Sequence, residues 1–314
     1  EPYSVNNVIR VVAGILIDAD GHFLLAQRPI GKIYEGFWEF PGGKVEEKEL
    51  ASDALIRELE EELGIIPETF HPWITKTFRY PHADVNIKFF KVTHWSGEVK
   101  SLEDQELHWQ GPGSLGVSPV LEPNIPILKS LRLPDHYLIT NLSELGAEIF
   151  FQALSRAVKT SPQLIQVREK NLSSSDLEAF TKEVLSVCRS TGSKVLVNTH
   201  FDIADRVGAD GVHLTSQQLK STIRRPQVPL CAASCHSKED LVRVDELELD
   251  FAVLSPVKVT ASHPDENPLG WSLFQSLIEE VKTPVYALGG LLKEDLSDAW
   301  THGAAGISML RRAW

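Results

Sequence analysis

The chain has 314 residues, 42% of them hydrophobic and 24% charged, an ordinary composition for a globular protein with room for two domains. Its 31 basic residues against 43 acidic ones give a net charge of -12, which argues against a non-specific polynucleotide binder because such proteins need a basic surface. No apolar run approaches the 18 or so residues of a membrane span, and no signal-peptide pattern stands at the amino end, so a cytoplasmic protein without membrane contact is expected.

Strand-like runs at Val8 to Ile17 and His22 to Ala26 come first in the chain. A helix is then predicted from about Leu50 to Leu63, because Leu55, Leu59 and Leu63 recur every four residues. Gly64 stops it as a C-cap glycine. At about 100° per residue, Glu58, Glu61 and Glu62 fall beside the leucine stripe rather than opposite it. Clustered carboxylates repel one another, and Mg2+ or Mn2+ relieves this as a hard ion that prefers oxygen ligands. Arg57 can hold such carboxylates through a planar, bidentate contact. A further strand is predicted at Val85 to Val92.

The segment KSLRLPDH, Lys129 to His136, reads as a seam, dividing the chain into residues 1–133 and 134–314. Beyond it come eight short apolar strands separated by helical segments. They are Tyr137 to Thr140, Leu164 to Val167, Val195 to Asn198, Gly211 to Leu214, Leu230 to Ala233, Phe251 to Leu254, Val285 to Leu288 and Gly306 to Met309. Eight βα units argue for a closed α/β barrel, with lean helices because about 180 residues is short for that fold. Cys188, Cys231 and Cys235 form neither a disulfide framework nor a CxxC pair and read as buried thiols. The eleven histidines show no HxxxH or HExxH spacing, and no zinc is expected.

Gly43 to Ile65 reads GKVEEKELASDALIRELEEELGI and fits G-x5-E-x7-R-E-U-x-E-E-x-G-U, with U aliphatic, at Gly43, Glu49, Arg57, Glu58, Leu59, Glu61, Glu62, Gly64 and Ile65. This is the Nudix box, and the first half of the chain resembles Nudix hydrolases, which cleave nucleoside diphosphates linked to another group. The resemblance implies an α+β sandwich with a mixed sheet between helices. It narrows to the MutT branch, which sanitises oxidised nucleotides, over Val8 to Leu131. The matching pieces are FWEFPGGKVE at Phe37 to Glu46, Tyr80-Pro81, the Trp95 to Trp109 spacing and EPNIPILK at Glu122 to Lys129. In that branch a glycine carbonyl before the box, here Gly42, and a glutamate between the tryptophans, here Glu103, join the metal site. Both Glu58 and Glu103 have a claim to be the general base.

The same resemblance places Asn124 in a nucleobase pocket, with Arg28, Phe40 and Glu39 as further pocket candidates. An Asn amide presents a donor and an acceptor side by side. Ordinary guanine shows acceptors at O6 and N7, whereas oxidation at C8 turns N7 into a donor, so only the oxidised edge matches the amide. A mismatched buried polar group can discriminate by about 10^4-fold or more. One departure is Ala83, where a MutT enzyme can carry arginine.

Residues 135–314 resemble the thiamine phosphate synthase/TenI family of (βα)8 TIM barrels. The resemblance rests on YLIT at Tyr137, QVREK at Gln166 to Lys170, GADGVHL at Gly208 to Leu214, ALGG at Ala287 to Gly290 and HGAAGIS at His302 to Ser308. It implies that Arg168 and Lys170 contact diphosphate and that Gly289-Gly290 cradle phosphate. The synthase's metal-binding carboxylates are replaced by Asn198-Thr199 and Gln218, and the TenI catalytic histidine by Pro256. His236 is a lone histidine near the same end. No synthase activity is expected, and a phosphate-binding or structural role is.

The expected function is thus Mg2+-dependent hydrolysis (Mn2+ serving as well) of 8-oxo-dGTP to monophosphate and diphosphate. Its partner is a small nucleoside triphosphate, and oligomeric state is left open. Two alternatives are a hydrolase of a thiamine-pathway diphosphate and a hydrolase regulated by a metabolite-sensing barrel.

Overall fold

A computed structural model describes residues 8–80, 83–111, 113–261, 264–265 and 267–314. The chain forms two compact units, the first running to Leu128 and including Trp300–Gly303, the second made of Lys129–Ala299 and Ala304–Trp314. The first contains β1 (Val8–Leu16), β2 (Phe23–Gln27), β3 (Trp38–Glu39), β4 (Gly42–Lys44), α1 (Ala51–Leu63), β5 (Ile66–Arg79), β6 (Asp84–Ser96) and β7 (Leu107–Gln110). A 3-10 turn at Glu122–Asn124 leads into α2 (Ile125–Leu131). One sheet runs β4-β1-β6-β5 and the other β3-β2-β7. The first is mixed, since β1 pairs parallel with β6 and antiparallel with β4.

The leucine stripe decides how α1 sits. Leu55, Leu59 and Leu63 are all fully buried, against Val12, Leu16, Phe90 and Val92 of the mixed sheet. Each such burial stabilises by roughly 2 kcal/mol. Gly64 ends the helix at φ 69, with its N–H donating to the Glu60 carbonyl at 3.0 Å. The predicted helix is found one residue shorter, because Leu50 is extended and acts as the N-cap.

Four strands of this unit were not predicted. The longest, β5, carries Pro67 and Pro72, and its pairing with β6 shifts register between Pro67 and Thr69, Thr69 and Phe70, and Pro72 and Thr75. These irregularities erase the period-two alternation that marks a strand. The others, β3, β4 and β7, are two to four residues long and carry too little pattern to read. β6 runs past the predicted Val92 to Ser96, through the exposed Thr93 and His94.

The second unit is a closed parallel barrel of β8 (His136–Ile139), β9 (Leu164–Val167), β10 (Lys194–Asn198), β11 (Gly211–Leu214), β12 (Leu230–Cys235), β13 (Phe251–Leu254), β14 (Val285–Leu288) and β15 (Gly306–Met309). All eight predicted strands are present, with bounds moved by one or two residues at β8, β10 and β12. Tyr137, Leu164, Leu196, Ala232, Phe251, Val253, Tyr286 and Ala305 form one buried cluster, to which all eight strands but β11 and β15 contribute from within their bounds. Some helices are lean as expected, with Phe201–Val207, Ser216–Ser221 and Leu296–Thr301 no longer than two turns, whereas Ala147–Thr160 and Ser174–Cys188 run to 14 and 15 residues. Cys188, Cys231 and Cys235 are free and buried. Among the described residues no helix is long and apolar enough to cross a membrane.

Candidate active site

A cavity of about 470 Å³ opens beside β1, β4 and α1, and its walls include Arg28, Lys32, Glu39, Phe40, Gly42, Gly43, Glu58, Glu62, Glu103 and Asn124. Two glycines shape this wall, Gly42 by letting the β1 backbone come close and Gly43 by making room for a carboxylate. The β1–β4 register sets Gly42 opposite Ala13 and Gly43 opposite Val12. A Cβ on Gly42 would lie 2.1 Å from the Val12 carbonyl oxygen, and one on Gly43 would lie 2.2 Å from the Glu58 carboxylate. The Glu58 carboxylate thus occupies the space of the missing side chain. Gly43→Ala is expected to cost little stability, because the clash is with the movable end of Glu58. Activity is expected to fall about 10^2-fold as the carboxylate shifts by about an ångström. Thermal melting beside steady-state kinetics checks both.

Arg57 organises the box. Its Nε and Nη2 donate to the two Glu49 carboxylate oxygens at 2.9 and 3.0 Å, Nη1 donates to Glu58 at 2.7 Å, and Nη2 also reaches the Lys44 carbonyl at 3.0 Å. The bidentate partner is Glu49, whose pKa this contact lowers, while Glu58 receives a single bond. Glu61 stands apart. Its side chain is 57% exposed, it meets Arg57 only at 3.5 Å, and it does not line the cavity.

Glu62 accepts the Gly42 N–H at 3.1 Å, and its pKa is pushed up to about 8 by burial and by the nearby charges of Glu103 and Glu58. A carboxyl with a raised folded pKa keeps its proton longer in the fold than in the unfolded chain, so its ionisation destabilises the fold as pH rises from about 4.5 towards 8. In metal-free protein the Tm of Glu62→Gln is therefore expected to exceed wild type increasingly between pH 5 and pH 8. A gap independent of pH would count against this. Glu103 pairs with Lys32 at 3.1 Å. Its loop is pinned to α1 by Gln105, whose Oε1 accepts the Glu103 N–H at 3.0 Å and whose Nε2 donates to the Glu62 carbonyl at 3.4 Å.

Asn124 is buried where the 3-10 turn meets α2. Its Oδ1 accepts the Phe40 N–H at 3.2 Å, and its Nδ2 donates to the Leu121 carbonyl at 3.2 Å. A primary amide has two N–H groups and two acceptor lone pairs, so one of each is left over. Phe40 packs between Phe23 and Phe89, with ring centroids at 6.0 and 6.2 Å, while also lining the cavity. Arg28 and Glu39 hold each other, with Nη1 at 2.8 and 3.0 Å from the two carboxylate oxygens. Burial raises the Glu39 pKa against the opposing pull of Arg28. Ala83 is buried, and Pro81 and His82 lie outside the described residues.

Glu58, Glu62 and Glu103 suit a hard divalent cation, being all-oxygen donors whose mutual repulsion already shows in Glu62. They are held apart by Arg57, the Gly42 N–H and Lys32. Among the described residues, the acidic group whose ligand atoms all lie within 4.8 Å is instead Asp18, Asp20 and His22. That group is a turn, in which Asp18 Oδ1 accepts the N–H of Asp20 and of His22.

In the barrel, Arg168 is half-buried and desolvation lowers its pKa, while Lys170 is exposed. Gly289 and Gly290 have φ 113 and 64, and a Cβ there would lie 2.7 Å from Pro256 Cα and 2.4 Å from the Val259 carbonyl oxygen. Asn198, Thr199 and Gln218, which the resemblance sets in place of the synthase's carboxylates, bond to neutral groups. Asn198 Nδ2 donates to Gln166 at 2.9 Å, Thr199 Oγ1 to Asn198 Oδ1 at 2.8 Å, and Gln218 Nε2 to the Thr199 carbonyl at 3.2 Å. Gln218 Oε1 accepts the Thr215 N–H at 3.0 Å. This donor set does not fit Mg2+. His236 Nδ1 lies 3.1 Å from the Ser255 carbonyl oxygen.

Several site residues had no reading of their own in the sequence. Glu49 and Gly43 were visible as fixed box positions without an assigned role. Lys32 and Gln105 gave no signal, because their partners lie 71 and 43 residues away. In the barrel, His213 bridges the Tyr137 hydroxyl at 3.0 Å and the Ser234 hydroxyl at 2.8 Å. Burial and the charge of Arg168 lower its pKa to about 3, so it is neutral. Its place in GADGVHL was the available signal.

A thiamine monophosphate synthase (TMP-TENI) family model matches residues 136–313, and a NUDIX domain model matches residues 8–127. A putative thiamine-phosphate synthase 2 of Aquifex aeolicus is 35% identical over 180 residues, which is 57% of this chain and 96% of the relative. An 8-oxo-dGTP diphosphatase of Proteus vulgaris is 38% identical over 91 residues, 29% of this chain and 81% of the relative. A solved structure from a comparison of MutT in Aliivibrio salmonicida and Vibrio cholerae is 34% identical, covering 40% of this chain and 98% of that one at a TM-score of 0.36. The chain therefore belongs to the thiamine monophosphate synthase family through residues 136–313 and carries a Nudix hydrolase domain in residues 8–127.

Proposed function

We propose that residues 1–133 hydrolyse 8-oxo-dGTP, and oxidised purine nucleoside triphosphates like it, to the monophosphate and diphosphate in the cytoplasm, clearing the nucleotide pool of mutagenic precursors. One observation carries the reading. The buried amide of Asn124, with one donor and one acceptor uncommitted, lines the same cavity as Glu58 and Glu62. A nucleotide whose oxidised base meets Asn124 has its phosphates directed to the carboxylates. The Proteus vulgaris relative's name agrees with this substrate.

Glu58, Glu62 and Glu103, with the Gly42 carbonyl, would hold Mg2+ or Mn2+, and Glu61 lies outside the cavity lining. Such a cation supplies charge neutralisation on the phosphates and a more acidic water. The chain's own residues do the rest. Arg57 fixes Glu58 against Gly43, and Gln105 fixes Glu103 near Glu62. A carboxylate, Glu58 or Glu103, takes the proton of a water whose oxygen bonds to the inner phosphorus as the bond to the departing diphosphate breaks. Hydrolysis in 18O-labelled water is expected to place the label in the monophosphate. Label in the diphosphate would mean attack at a different phosphorus.

The barrel is proposed to lack synthase activity, since its neutral Asn198, Thr199 and Gln218 are bonded to protein groups where a cation would need carboxylates. Its covalent attachment favours a second reading, in which the hydrolase acts on a thiamine-pathway diphosphate.

A further inference from the structure

We infer that Lys32 is a positioning residue that exchanges the carboxylate of Glu103 for the substrate's phosphate chain. This rests on the hydrolase reading above. Lys32 stands on the β2–β3 connection and Glu103 on the β6–β7 connection, and their side chains meet at 3.1 Å with both residues lining the cavity. Arg28, Lys32 and Lys44 line the cavity, and the two that act on Glu39, Arg28 and Lys32, differ in how they are held. Arg28 is committed to both Glu39 oxygens and to the Ile33 carbonyl at 2.7 Å. Lys32 has one close ion partner, and the pair is roughly half exposed, 54% for Lys32 and 41% for Glu103. A solvent-facing pair of this kind is weakly held and easily exchanged.

The exchange follows from charge. Glu103 adds to the repulsion at Glu62, and the Lys32 ammonium pairs with the Glu103 carboxylate. Glu62, Glu58 and Glu103 would hold a cation through their carboxylates, and Glu103, so engaged, would no longer need the Lys32 ammonium as its partner. The best remaining partner is then the polyanionic phosphate chain, which a compact charge on a flexible stem can follow. Lys32 therefore opposes cation binding in the empty site and favours substrate in the loaded one.

These two effects have opposite signs, which a merely structural role would not give. In the full chain, Lys32→Met is expected to bind Mn2+ alone about two- to fivefold more tightly, followed by electron paramagnetic resonance titration. The same variant is expected to raise KM for 8-oxo-dGTP about tenfold with a smaller change in kcat, and Lys32→Arg to restore most of the KM. Glu103→Gln separates the possible failures. If it weakens Mn2+ binding while Lys32→Met leaves both Mn2+ affinity and KM unchanged, the Lys32 role is overturned and the hydrolase reading stands. If Glu103→Gln leaves Mn2+ affinity unchanged, the proposed cation site is wrong and the Lys32 role falls with it.

Discussion

Replacing Glu58 by glutamine is expected to lower kcat/KM by about 10^3-fold with the fold intact. The side chain is 15% exposed, sits in the space a Cβ on Gly43 would need, and receives the Arg57 guanidinium at 2.7 Å. Glutamine preserves that shape but removes the negative charge. It thereby removes a cation donor and one of the two candidate proton acceptors, and general-base catalysis alone contributes about 10^2- to 10^4-fold. Glu61→Gln provides the contrast. Its exposed side chain is expected to cost clearly less, because Arg57 approaches it only to 3.5 Å. Steady-state kinetics on both variants, with melting curves to exclude unfolding, checks the ordering. Equal losses would mean that the loaded site recruits Glu61 fully.

Asn124→Ala is expected to erase selectivity for the oxidised base. The kcat/KM for 8-oxo-dGTP should fall by about 10^2-fold or more while that for dGTP changes little, so the ratio between them collapses. Losing the amide also unpairs the buried Phe40 N–H, at a cost of about 1–3 kcal/mol in stability. Retained dGTP hydrolysis in the same preparation distinguishes lost recognition from lost folding. A variant that keeps the wild-type ratio would move the base to another part of the cavity.

The sequence disclosed most about places where local chemistry and burial agree. Leu55, Leu59 and Leu63 announced α1 and its buried face, and all three are fully buried. The barrel strands were legible because each is a short apolar run with both faces covered. β5 was hidden by Pro67 and Pro72, whose register shifts replace the alternation. The helical projection grouped Glu58, Glu61 and Glu62 in one sector, yet only Glu58 and Glu62 line the cavity. They are four residues apart on one side of α1, and Glu61 is turned outward from them. Contacts made by the fold over long separations, Lys32 with Glu103 and Gln105 with Glu62, have no local pattern from which to be read.

The central claim is that this cavity selects an oxidised purine nucleoside triphosphate. The most direct measurement is diphosphate or phosphate release by the full chain with Mg2+ from 8-oxo-dGTP, dGTP and thiamine diphosphate under one set of conditions. A kcat/KM for 8-oxo-dGTP exceeding the other two by about 10^3-fold or more is the expected result. Equal rates on the two nucleotides, or a preference for thiamine diphosphate, would contradict the role given to Asn124 and assign the hydrolase to the chemistry of the barrel's family.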